Sequence, residues 1–577
     1  MKRLSFSAIG SITLGLSLMA CTPTQTQPSG QNMTLYSAQT ILTVDDDNPT
    51  GNAIIIDDGG TIVDIGEFDT LKKRYSEANV DRRFADKTIT PGLIDPHIHM
   101  TLGSMMYGLD FVPPWDMETP KGTVKGLPDK ASLIAKIAEF EKAAPDGPLI
   151  LYGYHNLVQG DLTRQDLDKI SETRPIFIWH FSGHDFYLNS AAIEAAKLTP
   201  ALAEQFHGVG LDDKGELNGR IYEDAALALF ATIGPILLAP DHIAKGWNGY
   251  EAIFARSGVT SVAEMGYGIF GRALEDNYIK AHYSDEDNYN LYLVPEHRAF
   301  TKEFQNIANL RISEMARQTD AKPRVLPQVK LFTDAAFYSQ TMKMAAPGYI
   351  GGQSKGQDGL WVTEPEDLEA LMRRYWDAGL DIHIHSNGDA AQDSTLGAFS
   401  KMKAGEDGQR LIIEHGGLFR PDQIKMAAEL GVGISAASHY VKYMGEDYKE
   451  AIGEKTDFIT PLASAIKAGI HTTLHSDAPL APPQPLKAAS VHMTRETREG
   501  GVSNADEKIT REQALKAITL DAAWSLGLED EIGSLEAGKR ADFAILESNP
   551  LTTAPEAWPD IKIWGVMLGG DVRPVSP

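Results

Sequence analysis

The sequence predicts an α/β protein: a (β/α)8 TIM-like barrel beside a small β-sandwich-like domain assembled from both chain ends. Three observations carry this. Eight short, apolar, β-branched runs recur along the middle of the chain, most of them followed by a stretch long enough for a crossover helix. Two β-rich segments stand at opposite ends. Metal-competent side chains close several of the eight runs. The chain of 577 residues is long enough for more than one domain, and 42% hydrophobic with 23% charged residues is the composition of a globular protein.

The N-terminus reads as a targeting segment. Lys2 and Arg3 precede an apolar stretch, residues 9–18, that is too short to span a bilayer. It ends in Leu18-Met19-Ala20-Cys21, which resembles a bacterial lipobox. Residues 1–20 are therefore expected to be a lipoprotein signal peptide, with a lipid on Cys21 as the contact with a membrane. Thr22 rather than Asp follows the cysteine, which favours the outer membrane, facing the periplasm, within the cell envelope. Cys21 is the only cysteine, so no disulfide can form within the chain. Residues 21–32, rich in Thr, Gln, Pro and Ser, read as a tether.

Residues 33–90 and 525–577 are expected to form the composite β domain. Runs 53–56 and 61–65 flank Asp57-Asp58-Gly59-Gly60, a hairpin signal, and 541–546 and 561–568 supply the distant strands. Between them, 91–524 holds the barrel runs: 93–99, 259–264, 290–294, 329–334, 382–386, 411–415, 432–436 and 471–477. A large insertion at about 100–258 follows the first run and carries apolar runs of its own, 149–154 and 176–180. A doubly wound sheet accommodates the same alternation.

Residues 91–100 read PGLIDPHIHM. Positions two apart on a strand share a face, so His97 and His99 can both point into a barrel mouth, and imidazole suits zinc and its neighbours. His385 closes DIHIHSNGDAA, His415 closes LIIEHGG and Asp477 closes HTTLHSDAP. Lys330 lies inside the apolar run of VKLFTDAA, where a bare ammonium is costly. Burial depresses a lysine pKa, and a neutral amine can take up CO2 to become an anionic carbamate. His383 shares a face with His385, so either can be the ligand of that strand. The balance of 53 Lys and Arg against 79 Asp and Glu, a net charge of -26, excludes nucleic acid as a partner, since nothing would neutralise the phosphates.

The order HxH, Lys330, His385, His415, Asp477 resembles the binuclear amidohydrolases. PGLIDPHIH, VKLFTDAA, HIHSNGDAA, IEHGG and HSDAP, together with GSLEAGKRADFAIL near the end, are similar to the amidohydrolase-3 branch, which includes YtcJ-like proteins and N-substituted formamide deformylases. The resemblance implies His97, His99 and Asp477 on one divalent metal ion, His385 and His415 on a second, and N6-carboxylated Lys330 between them, with zinc as the metal. It implies hydrolysis by activated water of a non-peptide C–N bond (amide, N-formyl or related) in a small-molecule substrate, with Asp477 as the acid–base group. Asp334-Ala335 replaces the family's Asp-Gly, and Ala263-Glu264 its usual His-Asp. In the insertion, WHFSGHDFYLNSAAI resembles a segment that places His and Asn near substrate, which makes His184 and Asn189, and also His180, candidates for substrate binding. His439 and Tyr440 follow the seventh run and could line the mouth. The alternatives are a deaminase or esterase of the same superfamily, or a surface-tethered ligand-binding lipoprotein that uses the barrel only as a scaffold.

Overall fold

The computed structural model describes residues 33–143, 146–402 and 408–575. The expected signal peptide, Cys21 and the tether lie outside the described residues. The chain opens with β1 (Met33–Leu42), β2 (Thr50–Asp57), β3 (Ile62–Gly66) and β4 (Asn79–Pro91). The predicted turn joins β2 to β3: Asp57 Oδ1 accepts from the backbone N–H of Gly59 (3.0 Å) and Thr61 (2.8 Å). Gly60 takes φ +75, and a Cβ there would fall 1.9 Å from the Gly569 carbonyl oxygen, so the turn requires glycine.

β4 runs directly into β5 (Leu93–Ile98), the first of the parallel strands. The insertion then builds a six-stranded sheet around β6 (Leu149–Tyr154), β7 (Ile176–His180), β8 (Asp185–Leu188) and β9 (Leu217–Tyr222). It ends in the helix Pro240–Ser257, which crosses the helix Met100–Tyr107 tightly. A Cβ at Gly246 would lie 1.8 Å from the Ser104 carbonyl oxygen, and one at Gly103 would lie 2.5 Å from Tyr250 Cε1. That contact fixes the segment leaving His99.

The remaining parallel strands are β10 (Val259–Tyr267), β11 (Asn290–Pro295), β12 (Gln328–Phe332), β13 (Asp381–Ser386), β14 (Leu411–His415), β15 (Gly433–Ala437) and β16 (Thr472–His475). They form a four-stranded sheet, β5-β10-β11 with Arg324–Val325, and a five-stranded sheet, β12 to β16 in sequence order. Every neighbouring pair in both sheets is parallel. Parallel bridges join Glu296 to Lys330 and Ile98 to Ala478 at the two seams. The strands are almost wholly buried, which is why they read as continuous apolar runs rather than alternating ones. Four runs end sooner or shift: the first stops at Ile98, the fourth stops at Phe332, the seventh occupies 433–437, and the eighth stops at His475.

The chain returns through β17 (Phe543–Leu546), β18 (Ile563–Leu568) and β19 (Asp571–Pro574). β17 pairs antiparallel with β4, Phe543 opposite Pro91. The two chain ends thus share one seven-stranded sheet in the order β19-β18-β17-β4-β1-β2-β3. Tyr36, Ile54, Phe84, Ile89, Phe543 and Met567 form its buried apolar cluster.

Candidate metal centre and substrate mouth

His97 and His99 leave β5 on one side, as their spacing requires. His97 is fully buried. Its Nδ1 lies 2.6 Å from Glu414 Oε2, while its Nε2 has no hydrogen-bond partner among the described residues and stands 3.5 Å from Asp477 Oδ1. His99 Nδ1 lies 3.2 Å from Glu264 Oε1, and its Nε2 is 3.3 Å from Asp477 Oδ1. Each histidine therefore has one nitrogen tied to a carboxylate and the other turned toward a common point. That is the usual arrangement of metal-ligating imidazoles, because the outer carboxylate fixes tautomer and ring orientation. The ligand atoms of His97, His99 and Asp477 all lie within 4.8 Å of one another.

A second group with the same property is His97, His415 and His475. His415 also packs on His385, with ring centroids 4.5 Å apart. His385 Nε2 is 3.0 Å from the Ala335 carbonyl oxygen, which leaves Nδ1 as its free donor atom. Lys330 is buried, its Nζ has no hydrogen-bond partner among the described residues, and it stands 5.4 Å over the Phe332 ring. An orphaned buried amine of this kind, beside a cluster of imidazoles with unfilled nitrogens, fits a centre completed by divalent metal.

Electrostatics agree with that fit. Burial pushes the Lys330 amine down to about 8. Burial and the Lys330 charge push His97 well below its ordinary value, and the same two causes bring His385 to about 3. Burial alone would raise Asp477, but His415, His99 and His97 outweigh it and hold the carboxyl well below the usual range. Burial works against a charged His99, yet Asp477 and Glu264 raise it to about 9. A metal arriving at His99 therefore displaces a proton.

The turn that carries Asp477 is pinned to β5. Ser476 Oγ donates to Asp95 Oδ2 (2.5 Å), and the Ser476 N–H donates to Asp95 Oδ1 (3.1 Å). The Asp477 N–H reaches the His97 carbonyl (3.1 Å), and the His99 N–H reaches that of Ala478 (2.9 Å). Asp477 and His415 both have left-handed backbones, φ +53 and +72. Non-glycine residues held there store strain, which a rigid surrounding network sustains. It also explains why β16 stops at His475, short of Asp477.

Three participants escaped the sequence reading: Glu414, Glu264 and His475. Glu414 accepts from His97 and, through Oε1, from His383 Nδ1 (2.5 Å). Burial favours its protonated form, but His97 and His383 outweigh it and keep the carboxyl well below its ordinary range. His383 Nε2 is 3.0 Å from the Ser525 carbonyl oxygen, so both its nitrogens are spent on acceptors. Of the two histidines on β13, His385 is the one with a nitrogen to offer. Glu264, at the Ala263-Glu264 departure from the family pattern, accepts from the His99 ring and from the N–H groups of Met100 (2.6 Å) and Gly266 (2.9 Å). His475 shares with Asp477 the two-residue spacing that identified His97 and His99.

Asn189 is a correction. It caps the helix Ser190–Ala195: its Oδ1 accepts from Ala192 N and Ile176 N, and its Nδ2 donates to the Ser171 and Arg174 carbonyls. With the whole amide spent on backbone, none is left for substrate. His184 Nδ1 pairs with Glu223 Oε2 at 2.9 Å, and its side chain is 41% exposed. His180 is buried against Ser182 (2.9 Å). His439 is buried, neither ring nitrogen has a hydrogen-bond partner among the described residues, and it stacks on Tyr338 (5.6 Å between centroids). Tyr440 is a packing residue, stacked on Phe337 at 3.9 Å.

A sequence profile described as "Amidohydrolase family" matches residues 85–574. The chain belongs to the amidohydrolase family. As an amidohydrolase it is a hydrolase, and the His and Asp clusters give it a site suited to a divalent metal. It is 23% identical to an N-substituted formamide deformylase of Arthrobacter pascens, across 92% of this chain and 96% of that protein. It is 22% identical to the putative amidohydrolase YtcJ of Bacillus subtilis (strain 168), across 92% and 97%. Among solved structures, an uncharacterized metal-dependent hydrolase from Pyrococcus horikoshii OT3 shares the fold, with a TM-score of 0.67 at 21% identity over 91% of this chain and 99% of that one.

Proposed function

We propose that this amidohydrolase is a binuclear enzyme that hydrolyses a non-peptide C–N bond, an amide or N-formyl group, in a small molecule. The observation that carries the reading is the convergence of His97, His99 and Asp477 on one point, with the orphaned amine of Lys330 buried beside it. The two parallel sheets, bridged at both seams, are read as one closed (β/α)8 barrel, with the seven-stranded sheet as a separate small domain. The site then lies at the C-terminal ends of the strands, where barrel enzymes place their chemistry.

His97, His99 and Asp477 would hold one ion, His385 and His415 the other. Lys330 would lie between them as a carbamate, formed when its neutral amine attacks CO2 and releases a proton. Zinc suits this set of nitrogen and oxygen donors, and divalent ions would supply polarisation of the carbonyl and acidification of water. Asp477, kept ionised by its imidazole neighbours, takes the proton of the attacking water and passes it to the leaving nitrogen. The formamide-cleaving relative supports a C–N bond as the target. Chelator-stripped and zinc-reconstituted protein, screened on panels of N-formyl amides, acyl amides and esters, tests the reading. Metal-dependent turnover of the amides is expected, and full activity without metal refutes it.

The protein is further proposed to be anchored in the cell envelope by a lipid on Cys21. Mass spectrometry of the membrane fraction checks this: a mature chain that starts elsewhere and is free in the soluble fraction rules it out.

A further inference from the structure

Residues 225–239 read AALALFATIGPILLA, a stretch without a charge. They make up most of the 3-10 helix Glu223–Leu229 and the whole of the helix Phe230–Leu237. One side of this segment is buried, through Leu229, Ile233 and Leu237. The other side is open. Leu227, Ala231 and Pro235, spaced four apart, are exposed, with Ile236 beside them. Leu227 is 69% accessible and Ile236 38%. A helix that is apolar all round is ordinarily covered all round, and an exposed apolar face marks a contact surface.

The segment stands on the rim of the site. Glu223, at its start, accepts from Thr341 Oγ1 (2.6 Å) in the chain that follows β12. At its other end the Leu238 carbonyl accepts from the Tyr278 hydroxyl (2.6 Å), on the helix after β10. Phe230 meets Phe270, in the turn that leaves β10, with ring centroids 6.2 Å apart. Ile269 in that turn is 47% accessible, and Ile350, in the chain after β12, is exposed as well. Parallel strands release these segments at one end, the end that carries the proposed metal ligands. The exposed apolar side chains therefore share one face with the mouth. Between Arg220 and Lys245 there is no Lys or Arg, and Glu223, Asp224 and Asp241 are the charged side chains.

We propose that this rim docks on a zwitterionic lipid surface through Leu227, Ile236 and Ile269, and that the substrate is an amphiphilic amide drawn from that surface. This rests on the hydrolytic reading and on the Cys21 anchor proposed above. Residues 21–32 reach at most about 40 Å when extended. A folded chain of this length has a radius of gyration of about 25 Å. The anchor thus keeps a bilayer beside the protein without dictating which face meets it, and the face with apolar surface to bury does so. A second copy seated here would close the mouth to every substrate, whereas a bilayer covers the same rim and supplies what is dissolved in it. The contact is interfacial. Among the described residues no single helix is long and apolar enough to cross a membrane, and Glu223–Leu237 with Pro240–Ser257, which pass that test together, are bent by 85°. With no basic side chain on the segment, the attraction is apolar and insensitive to salt.

Two measurements on the mature, metal-loaded chain in phosphatidylcholine vesicles test this. Cys21 is the only native cysteine, so a thiol-reactive fluorophore on Leu227→Cys reports that position, with the unsubstituted chain as background. Brominated phosphatidylcholine should quench it equally at low and high salt. It should spare the same label on Asp377→Cys, at the end where β13 begins. A Leu227→Cys label untouched by brominated lipid overturns the docking. So does self-quenching that rises with protein concentration in the absence of lipid, which marks a second copy as the occupant. The second measurement is hydrolysis of N-formyldodecylamine in the vesicles, to formate and dodecylamine, beside that of formanilide in water. Leu227→Asp combined with Ile236→Asp should lose about 10-fold or more in kcat/KM on the first substrate. Formanilide turnover, metal content and Tm should stay unchanged. Equal effects on the two substrates, or a wild type that cleaves formanilide alone, overturn the amphiphilic substrate. Wild type inert toward both and toward the whole amide panel refutes the hydrolytic reading, and lipid quenching still decides the docking. An unmodified Cys21 in the mass spectrum refutes the anchor by itself, and quenching in added vesicles then decides the docking.

Discussion

Replacing Glu414 with Gln should weaken metal binding without unfolding the chain. In the native site the carboxylate accepts from His97 Nδ1 at 2.6 Å and from His383 Nδ1 at 2.5 Å. Glutamine keeps one acceptor oxygen and turns the other into an NH2 donor. One of the two imidazoles must then present a lone pair at Nδ1. His383 can do so with its proton on Nε2, still bonded to the Ser525 carbonyl. If His97 does so, its proton moves to Nε2, the atom turned toward Asp477, and the ring can no longer ligate there. Outer-shell partners of this kind are typically worth about 10–100-fold in metal affinity, or ~1.4–2.7 kcal/mol. Titration of the apo-protein with zinc against a competing chelator reads the change directly, and circular dichroism checks the fold. Unchanged zinc affinity in a folded Glu414→Gln protein would falsify the claim that this carboxylate sets the His97 tautomer. Glu414→Ala is the harsher variant, because it strands buried imidazoles and should destabilise the fold by about 3–5 kcal/mol.

Asp477→Asn should retain its fold and lose at least about 10²–10⁴-fold in turnover, the range typical of a positioned acid–base group; near-normal turnover with metal bound identifies another base. Lys330→Ala should lose the bridging position and most activity, with partial recovery in added formate or acetate. Lys330→Arg should fail outright, since a guanidinium stays charged. A carbamate resonance from wild type in labelled bicarbonate, missing in both variants, checks this. Far from the site, Glu251 accepts from Trp247 Nε1 (2.9 Å) and the Tyr289 hydroxyl (3.0 Å), and burial, aided by Asp287, pushes its carboxyl up to about 7. Its unfolded value is about 4.3, so between those limits the folded state holds the extra proton. Stability from this group is lost as pH rises through that window, and the penalty is complete above it. Glu251→Gln should raise Tm at pH 8 and leave it nearly unchanged at pH 4; equal gains at both would dismiss the argument.

What could be read in advance tracks how local each signal is. His97 and His99 were legible because a short strand after Pro-Gly fixes which residues share a face. Asp477 is legible through its motif, and His475 stands at the same two-residue spacing from it, but a strand run on to Asp477 hides the turn that its left-handed backbone makes. Glu414 could not be found by spacing: its role exists only because β5, β13 and β14 bring His97, His383 and Glu414 together. Glu223 lies 39 positions from His184 in irregular chain, where no periodicity helps. Asn189 was a misreading of a local signal. An Asn followed by Ser-Ala-Ala is an N-cap in plain view.

The seven-stranded sheet also sets a timetable for biosynthesis. Lys87 on β4 meets Glu547, 460 positions later, at 2.9 Å. At ordinary translation speeds that separation amounts to roughly half a minute to a minute and a half between the emergence of the two partners. Throughout that interval β1 can already pair with β4, with β2 and β3 beyond it, while the apolar end of β4, Thr88 to Pro91, waits with its other edge open. Unpaired edges recruit other chains, and charged residues are the common defence. β4 carries Asp81, Arg82, Arg83, Asp86 and Lys87 immediately before that end. A nascent or truncated chain lacking β17 would depend on those charges alone to stay out of aggregates.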